Sequence, residues 1–385
     1  MVPICLSPNG KTEYAGSAPP DELIVGTLRG IHFFERTGGT WECRRTALDH
    51  LHISALLHEP ESGKLFAGCH GYGEAGGLFV SDDGGAHWDK CVEGLVHEHI
   101  YTIAAQKRPD GIVLYAGTEP PGLFRSVDLG ASWEELPGIL KVPGTDKWTF
   151  PPPPHIAHVK QVAFHPNHPD TVYVLIEQGA VLKSEDRGES WRELDSYASD
   201  ADSFYRDVHR LAFAQNDPAR LHLATGDGLY RSEDAGETWE HLQGRTDRVG
   251  YPDALFVDPD DDDIVYLGGA GDAPETWRTE GGAFAGFIVS VDAGDSWQER
   301  MAGLPDPIEG NVEAMAMFHW PGGAAFFAGT AVGDVFISED RGAHWALLTG
   351  GLPPISKARH YRHFLSADEK ARIEGEARSE AGNAA

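Results

Sequence analysis

Cysteine is scarce in this chain. The four residues Cys5, Cys43, Cys69 and Cys91 are too few and too irregularly spaced for a disulfide framework or a zinc ribbon. Basic residues are outnumbered, 31 Lys and Arg against 60 Asp and Glu, and the formal net charge of −29 leaves no basic field to attract nucleic acid or an anionic membrane surface. No apolar run approaches the roughly 18 residues that a membrane-crossing helix needs, and no charged-then-apolar leader opens the chain. These absences predict a soluble, cytoplasmic protein with neither nucleic acid nor membrane as partner. A leader trimmed beforehand would leave the same sequence, and oligomeric state stays open.

Glycine is abundant, with 46 residues, beside 25 prolines and 10% aromatic side chains. That composition suits many short strands joined by turns, and 41% hydrophobic residues suffice for a large core. The decisive feature is a repeat. The frame Ser-x-Asp-x-Gly-x-x-Trp occurs at Ser81–Trp88, Ser126–Trp133, Ser184–Trp191, Ser232–Trp239, Ser290–Trp297 and Ser338–Trp345, and Glu35–Trp41 is a worn seventh copy. Self-similarity at roughly 45 to 60 residues marks a propeller or a solenoid. An apolar strand precedes each frame and a short strand starts at its Trp, which places the frame on a hairpin turn. There the Asp accepts backbone N–H bonds, the Gly supplies a positive φ and the Trp packs back on the sheet.

This frame resembles the Asp-box, or BNR, repeat shared by sialidases, two-propeller xyloglucanases, sortilin-type receptors and photosystem II assembly and stability factors. The resemblance implies an all-β, seven-bladed β-propeller of four-stranded antiparallel blades, with the boxes between third and fourth strands, away from the ligand face. The sialidase reading fails a check, because the Arg-Ile-Pro motif of that family is absent.

Alignment on the frames lays out the blades. In blade three the strands are Ile100–Ala105, Ile112–Gly117, Gly122–Arg125 and Ser132–Leu136, with alternation and β-branched content to match. Blade one lacks a clear innermost strand. His360–Leu365 is the favoured candidate, so that the N- and C-terminal segments share one blade and no sheet edge is left open; Val2–Leu6 is its competitor. The propeller is expected over residues 1–365, followed by a capped helix and a flexible tail over 366–385.

In a propeller the innermost strands start near the axis. In register, those starts read His52, His99, His158, Asp207, Gly250, Asn311 and, with C-terminal closure, His360; Trp41 to His52, Trp88 to His99 and Trp239 to Gly250 are each eleven residues. Converging imidazoles make a nitrogen ring for a divalent metal, Zn, Mn or Fe, with His52, His99, His158, His360 and Asp207 as candidate ligands. Carotenoid-cleaving oxygenases and oligogalacturonate lyase are similar in the position of their metal, not in sequence. Glu98, Tyr101, Arg206, His209, Tyr251 and Glu313 lie beside the strand starts and are the acid–base candidates. Enlarged loops on the same face offer His70, Trp148, Phe150, Tyr205 and Trp277 as walls of a pocket. His58, His87, His165, His168 and His344 fall in turns and are read as structural.

The expectation that follows is a metal-dependent enzyme, hydrolase or lyase rather than oxygenase, acting on a small organic or saccharide substrate in the axial pocket. Two alternatives stand beside it: a non-catalytic binding or assembly propeller, and a metal-free glycoside hydrolase.

Overall fold

The computed structural model describes residues 2–71, 73–151, 155–197, 206–242, 247–274, 276–277 and 282–357. Seven sheets follow one another along the chain, and nearly all described regular structure is strand. Blade one comprises Ile4–Leu6, Glu22–Thr27, Gly30–Thr37 and Thr40–Ala47. The innermost strands of blades two to seven are Ile53–His58, His99–Arg108, His158–Phe164, Val208–Phe213, Tyr251–Asp258 and Val312–Trp320. Each of these six blades continues outward through three antiparallel neighbours. The apolar core lies between neighbouring blades: Val113, Tyr115 and Leu123 of blade three meet Val159, Val174 and Ile176 of blade four, and Ala254, Phe256 and Phe287 of blade six meet Met315, Phe326 and Phe336 of blade seven. Burial of this face-to-face apolar surface drives the ring together.

The repeated frame builds the same turn six times. The Ser hydroxyl donates to the Asp Oδ1 and accepts the N–H of the Gly, as in Ser290–Asp292 at 2.7 Å and Gly294–Ser290 at 2.8 Å. The Asp Oδ1 also accepts the N–H four residues on, and Oδ2 faces that residue's side chain: Ser132, Ser190, Thr238 and Ser296 hydroxyls, or His87 and His344 Nδ1. His87 and His344 are therefore turn residues, as expected. Hydrogen bonds from the Thr238 hydroxyl and N–H hold Asp234 below the usual carboxylate range. The Gly and the residue before it both have positive φ, for example Ala293 at 56° and Gly294 at 97°, a local cost that the hydrogen-bonded cage offsets.

Two expectations are corrected. The innermost strand of blade one is Ile4–Leu6, the N-terminal competitor, and it runs parallel to Leu23–Val25. A fully buried Ile4-Cys5-Leu6 triplet fills the gap between blades seven and two, which gives the N-terminal segment the stronger apolar claim to that edge. Residues 360–365 and the helix expected from 366 lie outside the described residues. The second correction concerns register. Six innermost strands carry a bulge, at Ser54, Tyr101, Lys160, His209, Asp253 and Glu313. Counting back two residues from each bulge puts Tyr251, not Gly250, level with His52, His99, His158, Asp207 and Asn311. The eleven-residue spacing from Trp239 misled because the preceding connection carries one extra residue.

After Leu6 the chain turns into the central channel. The Ser7 hydroxyl accepts the Leu56 N–H at 2.8 Å, the Pro8 carbonyl accepts from Arg210 at 3.3 Å, and the Asn9 carbonyl accepts from Thr102 at 2.7 Å. Glu13–Ala15 then adds in parallel to Met317–His319 of blade seven. One segment thus touches blades two, three, five and seven. The four cysteines are free, and burial pushes the Cys5 thiol up to about 12. Among the described residues no helix is long and apolar enough to cross a membrane.

Candidate functional site

The six bulges decide what faces the axis. A bulge leaves one residue out of the ladder and re-aims its side chain, and here each bulged residue is polar and buried: Ser54, Tyr101, Lys160, His209, Asp253 and Glu313. Two residues earlier, His52, His99, His158, Asp207, Tyr251 and Asn311 form a second buried layer. The ends of second strands contribute a third group. His70 follows the strand across from His52, Glu119 pairs with His99, and Glu177 pairs with His158.

These side chains meet. The His52 and His70 ring centroids are 5.4 Å apart, and those of His70 and His99 are 4.3 Å apart. Glu119 joins three imidazoles: its Oε1 is 3.6 Å from His70 Nε2 and 3.6 Å from His99 Nδ1, and its Oε2 is 3.4 Å from His158 Nδ1. Burial would raise the Glu119 pKa, but these three histidines pull it far below the ordinary range. Burial lowers that of His70, which keeps its imidazole neutral and fit to be a ligand. His158 Nε2 lies 2.5 Å from Glu177 Oε2, and the ring stacks on Tyr101 with centroids 3.6 Å apart.

A second half of the cluster is built around lysines. Lys160 Nζ donates to Glu177 Oε2 at 2.9 Å and lies 4.0 Å from Asp253 Oδ1. Lys357, delivered by the segment after the last strand, contacts Asp253 with its ammonium and Glu313 Oε2 with its N–H at 2.9 Å. Ser356 donates to Glu313 at 3.0 Å, while its carbonyl lies 3.2 Å from His52 Nε2. Burial pushes the Glu313 carboxyl up to about 7 and the Lys357 ammonium well below its ordinary value, Lys160 adding to the latter. His209 Nε2 is 3.4 Å from Asp207 Oδ1, and Asp207 Oδ2 accepts the Tyr251 hydroxyl at 2.9 Å.

The expected residues divide accordingly. His52, His99, His158 and Asp207 reach the axis, as do Tyr101, His209, Tyr251 and Glu313. His70, expected as a wall, stands among the imidazoles, and Phe150 lies 4.9 Å from the His158 ring. Glu98 is exposed on the approach to blade three, and Arg206 pairs with Glu193 at 3.5 Å, away from the cluster. Trp148 packs on the layer between blades three and four, and Trp277 packs on Tyr251, Ala270, Ala273 and Ala283. Tyr205 and His360 lie outside the described residues. Missed were Lys160, Asp253, Glu119, Glu177, Ser356 and Lys357. A charged residue ending an apolar strand directly opposite a strand-start histidine was the available signal for the two glutamates.

The family model for Sortilin, neurotensin receptor 3, matches residues 121–273, a stretch holding three of the six caged turns. The chain is a seven-bladed β-propeller with Asp-box-type turns. Among relatives of this propeller, the photosystem II assembly lipoprotein Ycf48 of Synechococcus sp. (strain CC9902) is 25% identical over 252 residues, covering 59% of this chain and 70% of that protein. Xyloglucanase Xgh74A of Acetivibrio thermocellus is 28% identical over 156 residues, 34% of this chain, and the chain spans only 17% of that enzyme. A solved structure of Ycf48 bound to D1 peptide superposes with a TM-score of 0.55 at 15% identity, covering 88% of this chain and 99% of that one; at that identity the likeness is one of fold. The relatives of the Asp-box propeller thus include both glycoside hydrolases and an assembly factor.

Proposed function

We propose that this Asp-box propeller is a metal-dependent hydrolase or lyase, acting at the axial cluster on a small organic or saccharide substrate. The observation that carries the reading is the convergence of buried ionisable groups from six blades on one axis. Burying charge is costly unless it is paired, and the ring is already held together by apolar layers, so a purely structural role leaves this concentration unexplained. Groups with strongly shifted pKa values collect where chemistry is done.

His70, His99 and Glu119 offer donor atoms within 4.8 Å of one another, and so do Glu177, Asp207 and His209. The first set fits a divalent cation better, because Lys160 already counters Glu177. Two imidazoles and a carboxylate suit Zn, Mn or Fe. His158, against the far oxygen of Glu119, orients that carboxylate. A metal bound there would supply Lewis-acid polarisation of a substrate oxygen. The chain's own groups supply the rest: Glu313 gives or takes a proton near neutral pH, and Lys160, paired with Glu177, places positive charge where negative charge develops.

Elemental analysis of protein purified without chelator tests the reading. Near-stoichiometric metal is expected, falling at least tenfold in His99→Ala and Glu119→Gln. Metal-free protein, or metal content indifferent to both substitutions, sinks it. The rival reading, a non-catalytic binding propeller, draws on one observation: this single ring spans 99% of the peptide-bound Ycf48 chain. It predicts metal-free protein that binds an extended peptide.

A further inference from the structure

We propose that a second site, separate from the axial cluster and further along the inner strands, takes a small oxyanion, a carboxylate or a phosphate, held by Arg210 and Lys11. A cavity of about 240 Å³ lies among residues 102–105, 161–164 and 210–213 of blades three, four and five and residues 10–13 of the threaded N-terminal segment. The three strand stretches begin just past the bulges at Tyr101, Lys160 and His209. None of the axial histidines or carboxylates lines the cavity. Lys11 and Gln215, both in its wall, are exposed, so the recess opens to solvent. Arg210, in the same wall, is 6% exposed.

The charged side chains that line the recess are Lys11, Glu13 and Arg210. Two cations against one carboxylate reverse the balance of the chain, 31 basic residues to 60 acidic. Arg210 Nη2 donates to the Pro8 carbonyl at 3.3 Å, but its Nε makes no hydrogen bond among the described residues. Neither Arg210 nor Lys11 forms an ion pair among them, and Lys11 Nζ lies 5.2 Å from the centre of the Tyr14 ring. Two further polar groups of the wall are spent elsewhere: Gln161 exchanges hydrogen bonds with the Leu211 backbone, and the Thr102 hydroxyl donates to Asn9. Behind the wall, Glu59 acts on Lys11 and Glu177 on Arg210 at longer range. Both carboxylates are already engaged, Glu59 with the Glu61 and Ser62 N–H groups and Glu177 with Lys160 and His158. Burial pushes the Arg210 guanidinium down to about 10 and lowers the Lys11 ammonium, which solvent reaches but protein surrounds. Desolvated cations gain most from a partner of opposite charge. A guanidinium only donates, in a planar fork that fits carboxylate and phosphate oxygens, and like charge turns an amine away. The volume, below the roughly 300–1,000 Å³ of drug-sized sites, suits a small ion.

Titration calorimetry of the protein as purified, at constant ionic strength in chloride buffer, tests this with inorganic phosphate and with malonate. Saturable binding of at least one of them is expected, weakened about tenfold or more in Arg210→Gln and Lys11→Gln. Glu13→Gln removes the competing carboxylate of the wall, whose charged form burial already disfavours, and should bind more tightly. The tighter binder of the two names the source, phosphoryl group or carboxylate. Should Arg210→Gln fail to fold by circular dichroism, the opposed responses of Lys11→Gln and Glu13→Gln read the same site. Metal content followed in parallel keeps the two proposals apart, since anion binding by metal-free protein leaves this inference standing while the metal falls. No saturable heat with either anion, wild-type binding in Lys11→Gln, or no tightening in Glu13→Gln overturns it. So does a loss in His99→Ala as large as in Lys11→Gln, which would put the anion on the axial cluster.

Discussion

Glu313 shows how position alone makes an ordinary carboxyl useful near neutral pH. On a solvated strand it would titrate near 4.5, but burial lifts it to about 7, against the opposing pull of the Lys357 N–H and the Ser356 hydroxyl. The linkage has a definite sign. Between those two values the folded chain keeps a proton that the unfolded chain releases, so the stabilisation is complete below about 4.5 and is lost as pH rises through about 7. Glu313→Gln removes that dependence. Denaturant unfolding should show the variant gaining on the wild type by up to about 3 kcal/mol between acid and mildly alkaline pH, and a constant difference across the range would contradict it. At this scale the sequence was half legible. Histidines at strand starts could be aligned, but Glu119 and Glu177 end strands that read as continuous apolar runs, and nothing local to Lys357 points it at Asp253.

The element that carries most information per residue is the caged turn. Within eight residues it holds its own donors, acceptors and two positive-φ positions, so neighbouring structure is hardly needed to define it. Ser290 is the keystone of its copy: fully buried, it accepts the Gly294 N–H and donates to Asp292. Ser290→Ala leaves that N–H without a partner and should cost about 1–3 kcal/mol, read as a lower melting temperature with an unchanged far-ultraviolet spectrum; a cost within about 0.5 kcal/mol, as for an ordinary surface change, would mean that the cage is dispensable. The bulge, by contrast, leaves no mark in strand propensity. It became visible only from ladder register, and it moved blade six by one position, putting Tyr251 on the axis where Gly250 had been expected.

Closure of the ring belongs to the whole molecule. Blade one is completed by Ile4–Leu6 in a parallel pairing, and the same segment goes on to plug the channel and join blade seven. Leu6 is fully buried in the layer shared with those neighbours, so Leu6→Ala should lose about 2–5 kcal/mol. Val96, 67% exposed, gives the control, expected within about 0.5 kcal/mol of wild type. Equal melting temperatures for the two variants would show that the N-terminal strand does not close the ring. The sequence by itself determined the all-β class, the seven blades and the place of each Asp-box turn, because those depend on hydrogen bonds and apolar alternation within a few residues. Only the tertiary structure decided which terminal segment fills blade one and which carboxylates and lysines join the histidines on the axis. Those choices rest on contacts between residues as far apart as His52 and Ser356, where packing of one blade against the next, and not any local pattern, selects the partner.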